Sequence, residues 1–405
     1  MPVNEHRSDF LIIGSGIIGL ALARELAERY PGRSITVIEK ESAEALHGSG
    51  RNSGVLHAGF YYTANSLKAR FTRDGNRELT AYCEKHGLAI NKCRKVVVAK
   101  NEAEVEGLRE LERRGRTNGV AVSLIDEKEL REIDPNAKTT QFALYSPATA
   151  TVDPVEVCGA IRRELEALGV SFLFNCPYVG HLASNSIRTP RGVHSASMII
   201  NAAGLYADRV ARDFGFGLRY VIVPFKGIYL KYRGAEMTVS TNIYPVPNLN
   251  NPFLGVHFTV TVDGTVKIGP TAIPAFWREN YRGLDNFMLD EFFQVLCRES
   301  ILFARNSFGF RSLALEEMRK YRRGYFVSMA ANLVHRIDRA GFREWSRPGI
   351  RAQLLDVETS ALVQDFVVEG DRDSVHVLNA VSPAFTGSFP FCRWVVDEYI
   401  APALA

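Results

Sequence analysis

The apolar positions of the first forty residues form two short runs separated by a helical pattern. Phe10-Leu11-Ile12-Ile13 is continuous, stops at a glycine turn and reads as a buried strand. From about Ile17 to Tyr30 the apolar residues recur at helical spacing. A second run, Ile35-Thr36-Val37-Ile38, ends in Glu39. The first turn is Gly14-Ser15-Gly16-Ile17-Ile18-Gly19, a G-x-G-x-x-G pattern. Strand, glycine turn, helix, strand and terminal acid make a βαβ unit that binds a dinucleotide. Gly14 permits the tight turn, Gly16 lets a pyrophosphate approach the backbone, and Gly19 lets the helix pack on the strand. The helix N-terminus, at Ile17 and Ile18, offers N–H groups to the phosphates. Glu39, twenty residues beyond Gly19, is placed to accept from ribose hydroxyls.

The same patterning predicts helix over 64–87, a strand over Lys95–Ala99, and helices over 101–118 and Glu127–Glu132. Asp153-Pro154 reads as N-cap and first helical residue of a helix ending at Gly169, before a strand at Ser171–Phe174. Ser197–Gly204 is an apolar strand meeting a small-residue turn, with helix from about Tyr206; this returns the chain to the nucleotide sheet. Extended segments at Tyr220–Pro224, Gly227–Tyr232, Phe253–Val260 and Val266–Gly269 suggest an antiparallel sheet. Residues 285–345 read as mostly helical, Arg351–Leu355 and Val375–Asn379 as extended, and 389–401 as helix. The expected fold class is α/β: a Rossmann-like domain (1–95, 150–217, 350–405) interleaved with an α+β domain on an antiparallel sheet (96–149, 218–349).

Composition narrows the classes. The chain has 405 residues, 46% hydrophobic and 23% charged, as in ordinary globular proteins. No apolar run reaches the roughly 18 residues that span a bilayer. With so few residues before the first strand, no signal or transit peptide is expected, and the expected location is cytoplasmic. None of the six cysteines forms C-x-x-C or joins His at zinc-ligand spacing, so no metal is expected. Net charge is +4, but Ile301–Ile350 holds ten Lys/Arg against four Asp/Glu, densest at Arg319-Lys320-Tyr321-Arg322-Arg323. That excess suits a solvated face or peripheral contact with the anionic inner face of a membrane. No recognition motif accompanies it, so nucleic acid is not an expected partner.

The segment after Glu39 distinguishes NAD from FAD. Gly48-Ser49-Gly50-Arg51-Asn52-Ser53-Gly54-Val55-Leu56-His57-Ala58-Gly59-Phe60-Tyr61-Tyr62 suits a loop wrapping a flavin and its phosphates. With Val223-Pro224-Phe225-Lys226-Gly227, Pro252-Phe253-Leu254-Gly255-Val256-His257, Val266-Lys267-Ile268-Gly269-Pro270, Gly349-Ile350-Arg351-Ala352-Gln353 and Asn379-Ala380-Val381-Ser382-Pro383-Ala384, the whole chain resembles the L-2-hydroxyglutarate dehydrogenase/oxidase family of D-amino-acid-oxidase-like flavoproteins. It departs from the family at Lys226, usually Arg, at Ile228, often Glu, and in a bulkier loop Phe385–Phe391; 315–348 matches less well.

The resemblance implies FAD, hydride transfer from a CH–OH carbon to flavin N5, and conversion of L-2-hydroxyglutarate to 2-oxoglutarate. Implied cofactor contacts are Gly14, Gly16, Ile17, Ile18, Gly19, Glu39, Lys40, Gly50, Arg51, Asn52, Ser53, Gly54, Val97, Ala203, Gly204, Ser382, Pro383, Gly387 and Ser388. Backbone N–H groups near Ser382, Gly387 and Ser388 are expected to face the flavin pyrimidine edge. Histidine is the natural base at neutral pH, and His57 and His257 are the candidates. A small dicarboxylate substrate calls for cations, first Arg351, which can bind carboxylate bidentately. Tyr62, Lys226 and Tyr229 are further substrate candidates. In a continuous strand Lys226, Ile228 and Leu230 share a face that Tyr229 opposes, so Lys226 and Tyr229 are expected to act on different groups. Alternatives are an amino-acid or amine oxidase, a glycerol-3-phosphate-type dehydrogenase, or an electron-transfer flavoprotein. The acceptor is quinone or oxygen.

Overall fold

The computed structural model describes residues 5–64, 66–183, 185–235, 239–247, 254–380 and 382–404. Pro252, Phe253 and Val381 of the motifs above lie outside them. The chain divides into two units: 1–52, 154–223 and 351–405, and 53–153 and 224–350. Two of the boundaries fall inside strands, Tyr220–Gly227 and Gly349–Asp356.

The first unit is built on parallel strands. Glu5–Ile13 lies between Ile35–Ile38 and Gly192–Asn201, and Ser171–Leu173 and Ser374–Asn379 extend the two flanks. Register fixes which ends align: Ile13 pairs with both Ile38 and Asn201. The turns after these residues therefore open on the carboxyl edge of the sheet, where dinucleotides bind in such folds. The helix Ile17–Arg29 is buried along Ile17–Ala23 and at Leu26 and packs on the helices Pro154–Ala167 and Ser388–Val395. Its apolar face and the β-branched strands bury each other, with Leu11, Ile13, Ile38 and Ile199 fully or nearly fully buried.

The second unit holds an eight-stranded sheet in the order Phe342–Trp345, Leu230–Tyr232, Val266–Gly269, His257–Val260, Asn242–Pro245, Lys95–Val98, Phe142–Ser146 and Ser123–Asp126. Its pairings are antiparallel except between Asn242–Pro245 and Lys95–Val98, which are parallel. Lys95–Val98 alternates faces. Val96 and Val98 enter a core with Phe258, Phe326 and Phe342, while Val97 enters another with Phe60, Tyr61 and Tyr244.

Several expectations change here. Residues 53–95 belong to the second unit, not the first. Val55–Leu56 pairs with Ala150–Val152, and Asn76 Nδ2 donates to Leu56 O (3.0 Å) and Ala148 O (3.1 Å). These bonds tie the helix Leu67–Lys85 to that side. The expected break after Pro224 is absent: the strand runs from Tyr220 to Gly227, and Ile228 and Tyr229 lie between strands. Strand alternation therefore does not relate Lys226 to Tyr229. The predicted helical stretch contains helices Leu289–Arg305, Phe310–Arg319 and Arg323–Ala331, but Phe342–Trp345 is a short edge strand paired with Leu230–Tyr232.

The helix Leu289–Arg305 is inverted relative to an ordinary surface helix. It buries Glu291, Val295, Glu299 and Leu302 and exposes Leu289, Phe293, Leu296 and Phe303. Glu291 Oε2 accepts from Arg278 N (3.1 Å). Glu299 Oε1 has no partner among the described residues, and burial raises its carboxyl to about 8.

Candidate active site

In the first unit the glycine turn is shaped by close approach. Gly14 has φ +104°, and a Cβ there would meet Ala202 O at 2.7 Å. A Cβ at Gly19 would overlap Gly14 O, so only glycine brings helix and strand this close. Gly16 caps the helix without a side chain, and a Cβ on it would lie 2.9 Å from Ser49 Oγ. Ile17 N donates to that hydroxyl at 2.9 Å. Ser49 is thus a turn-binding residue that the sequence reading quoted without a role. Ile17 and Ile18 bury their side chains, leaving only backbone at the turn.

Glu39 Oε2 accepts from Ser15 N (2.8 Å) and Ser15 Oγ (3.0 Å), and Oε1 accepts from Glu41 N (3.0 Å). A carboxylate offers about four acceptor positions, so capacity for a ribose hydroxyl remains. Lys40 pairs with Glu41 at 2.5 Å and stands over the Tyr206 ring. Arg51 Nε donates to Leu46 O (2.6 Å), and Asn52 Nδ2 to Ser49 O (2.6 Å), so both stabilise the loop around Gly50. Ala203 N donates to Asn201 Oδ1 (3.1 Å), and Gly204 has φ +55°, so the small-residue turn lies beside Gly14.

Gly387 and Ser388 do not present free N–H groups as expected. Gly387 N donates to Pro383 O (3.0 Å) and Ser388 N to Phe385 O (3.4 Å), because the bulky loop folds into a tight turn before the helix. Ser382 is exposed and Pro383 buried.

In the second unit, Ser53 Oγ accepts from Val55 N (3.3 Å), and Gly54 has φ +76°. Val97 is fully buried and packs its side chain against the cluster of Phe60, Tyr61 and Tyr244. Around the Tyr244 ring the structure gathers several of the candidates. His257 is buried and stacks on it at 3.6 Å between centroids. Its Nδ1 lies 2.8 Å from Gly255 O; Nδ1–H is the donor there, which leaves Nε2 as the acceptor of the neutral ring. Lys95, fully buried, holds Nζ 4.1 Å from the centre of the Tyr244 ring, 5.3 Å from that of Tyr61, and 3.5 Å from His57 Nδ1.

Charge and burial act together on this cluster. Burial, then Lys95 and His257, hold His57 well below the ordinary histidine range. Burial lowers the Lys95 ammonium to about 7. The phenols of Tyr61, Tyr62 and Tyr244 are pushed up, chiefly by burial.

The remaining cations sit elsewhere. Buried Lys267 donates to Ser53 O (3.1 Å) and lies 4.7 Å from the centre of the Tyr229 ring; burial lowers it to about 8, still cationic at neutral pH. Lys226, also buried, donates to Asn280 Oδ1 (3.1 Å), and burial lowers its ammonium. Lys226 and Tyr229 do have different partners, although the reason is the break at Ile228 and Tyr229. Arg351 is half-buried and falls in the first unit.

A model of the FAD dependent oxidoreductase family DAO matches residues 9–398. The chain belongs to this family. Among its relatives, L-2-hydroxyglutarate dehydrogenase from Escherichia coli strain K12 is 34% identical over 395 residues, 96% of this chain and 92% of that one. The mitochondrial L-2-hydroxyglutarate dehydrogenase of Homo sapiens is 34% identical over 414 residues, 96% and 88% of the two chains. Among solved structures, FAD-bound L-α-glycerophosphate oxidase from Mycoplasma pneumoniae superposes with TM-score 0.76 at 21% identity, covering 96% of this chain and 94% of that one. Glycine oxidase from Geobacillus kaustophilus gives TM-score 0.71 at 19% identity, covering 98% and 95%.

As a DAO-family protein the chain is an FAD-dependent oxidoreductase, and its glycine turn fits that cofactor. The backbone is stripped of Cβ atoms where a pyrophosphate must approach, and an acid stands at the end of the second strand. Lys95, Tyr244 and Lys267 were missed as site residues. A lysine opening the apolar run Lys95-Val96-Val97-Val98 was an available signal, as was Lys267 inside a quoted motif; Tyr244 offered none.

Proposed function

We propose that this chain oxidises L-2-hydroxyglutarate to 2-oxoglutarate. The similarity to L-2-hydroxyglutarate dehydrogenases over 96% of the chain carries this reading. Bound FAD supplies the hydride acceptor. Gly14–Gly19, Glu39 and the loop around Gly50 hold it, with Ala203 and Gly204 beside the turn. His57 is the base: its depressed basicity keeps it neutral, and it takes the hydroxyl proton of the substrate. His257 Nε2 is a second acceptor for orienting that hydroxyl. In the second unit Lys226 and Lys267 offset the desolvation of carboxylate, and Tyr62 and Tyr229 offer apolar rings with polar tips; Arg351 is a further candidate for bidentate carboxylate binding.

The acceptor is quinone or oxygen, and the surface of the second unit favours quinone reached at a membrane. The exposed stripe Leu289, Phe293, Leu296 and Phe303 continues into exposed Leu315, Met318 and Tyr321. Arg298, Arg305, Arg311, Arg319, Arg322 and Arg323 of the same stretch of chain are exposed as well. Lys320, counted with the basic cluster from sequence, is instead buried against Glu317. Exposed apolar side chains together with arginine suit the interface of an anionic bilayer. Among the described residues no helix is long and apolar enough to cross a membrane.

The test is product formation by the flavin-loaded protein under air and with a quinone. 2-Oxoglutarate from the L-isomer and none from the D-isomer is expected. Turnover of glycine or glycerol-3-phosphate in preference would replace the reading.

A further inference from the structure

Lys95 places its amine against the rings of Phe60, Tyr61 and Tyr244, with no opposite charge beside it among the described residues. It is fully buried at the start of a central strand, and among the described residues it makes no ion pair. The groups facing it come from several elements. His57 follows Val55–Leu56; Tyr61 and Tyr62 follow His57; Tyr244 lies on Asn242–Pro245; His257 opens His257–Val260; Cys93 precedes Lys95 on its own segment. Burial keeps the phenols and the Cys93 thiol protonated and neutral, the histidines are neutral or cationic, and no carboxylate among them compensates a buried ammonium.

We propose that Lys95 is a positioning residue whose neutral amine, 3.5 Å from His57 Nδ1, accepts the Nδ1 hydrogen, directs the Nε2 lone pair toward the substrate hydroxyl, and takes over the proton that arrives there. This rests on the reading of His57 as the base. When the substrate O–H bond breaks, an N–H bond forms at Nε2; the Nδ1–H bond then breaks and an N–H bond forms at Lys95 Nζ. One proton travels from hydroxyl oxygen to lysine, and no electron moves in this step.

The tautomer logic decides between two roles for the lysine. A permanently charged group at this place would donate to Nδ1, put the ring hydrogen on Nε2 and leave no acceptor for the substrate. A lysine that loses its proton near neutral pH does the reverse. The burial that lowers Lys95 to about 7 supports that behaviour, as does the repulsion that prevents both rings and amine from being cationic together. Arginine, which stays charged, is therefore the informative replacement.

The experiment measures kcat and KM for L-2-hydroxyglutarate against pH in flavin-loaded wild type, Lys95→Arg, Lys95→Met and His57→Gln. Wild-type kcat is expected to rise with pH to a plateau through an apparent pKa near 7. Lys95→Arg and Lys95→Met should both lose at least about tenfold in kcat, change KM by less than about twofold, and lose that limb of the profile. Activity retained by Lys95→Arg but lost through KM in Lys95→Met would make Lys95 a charge for substrate and overturn the proposal. Loss in His57→Gln with an unchanged profile in both Lys95 variants would overturn the relay alone. Full activity in His57→Gln would remove the base, and the relay with it. If the variants do not fold, nitrogen NMR of wild-type His57 above pH ~8 decides. The proposal requires hydrogen on Nδ1; hydrogen on Nε2 overturns it.

Discussion

The two units solve different physical problems with different parts of the chain. The first makes its site from backbone. Gly14, Gly16 and Gly19 remove side chains, and Ser15, Glu39 and Ser49 hold the turn through hydrogen bonds of 2.8–3.0 Å. The second makes its site from side chains: buried Lys95, Lys226, Lys267 and His257, half-buried His57, and the tyrosines beside them. A backbone site depends on sterics and local spacing. A site of buried bases depends on desolvation, which shifts every group in it. Substitutions in the glycine turn should therefore act on cofactor retention, and those among the buried bases on turnover and pH dependence.

The sharpest break is in the first unit. Gly19→Val forces a side chain into Gly14 O, and the chain should purify without flavin or fail to fold, at a cost of about 3 kcal/mol or more. Gly16→Val should fold and lose flavin. The ratio of visible to protein absorbance reports both, and full flavin in either variant would contradict the cradle. In the second unit, His57→Gln should keep its flavin and lose about 10²–10⁴ in kcat. Arg351→Ala should raise KM for the dicarboxylate by about tenfold or more with kcat and flavin little changed; unchanged kinetics would remove Arg351 from the site.

A smaller effect tests the burial of charge itself. The folded carboxyl of Glu299 lies at about 8, above its ordinary value of 4.5. The folded chain thus holds this proton where the unfolded chain releases it. The stability from Glu299 is fully present below about pH 4.5 and is lost as pH rises through about 8. Glu299→Gln should melt several degrees higher than wild type at pH ~9 and show little difference at pH ~4. Equal melting curves at both would contradict the burial. Weakest is the membrane contact. Co-sedimentation with anionic vesicles should fall with salt and fall again in Phe293→Ser; no binding at low salt would reject it.

How much of this was readable in the sequence follows the same division. Gly14 to Glu39 spans one βαβ unit, so its spacing encodes its geometry, and the helix Ile17–Arg29 and strand Ile35–Ile38 lie where the pattern places them. The strand Lys95–Val98 was also legible, but its meaning was not. Lys95 meets Tyr244 through the parallel pairing of Asn242–Pro245 with its own strand, and His57 through a side-chain contact, and neither is near it in sequence. Val97, expected from sequence as a cofactor contact, is buried among Phe60, Tyr61 and Tyr244, which only the fold brings to it. The boundary at residue 95 failed because Val55–Leu56 is too short to announce its pairing with Ala150–Val152. The inverted helix Leu289–Arg305 defeats periodicity, since its spacing is helical whichever face is buried.

The proposed activity is the flavin-dependent oxidation of L-2-hydroxyglutarate. Anaerobic mixing of the yellow holoenzyme with L-2-hydroxyglutarate, its D-isomer, L-lactate, glycine and glycerol-3-phosphate tests it most directly. The account predicts rapid bleaching of the visible flavin band by the L-isomer, none by the D-isomer, and slow or no bleaching by the others. Persistence of the oxidised band with L-2-hydroxyglutarate, or faster bleaching by glycine or glycerol-3-phosphate, would contradict it.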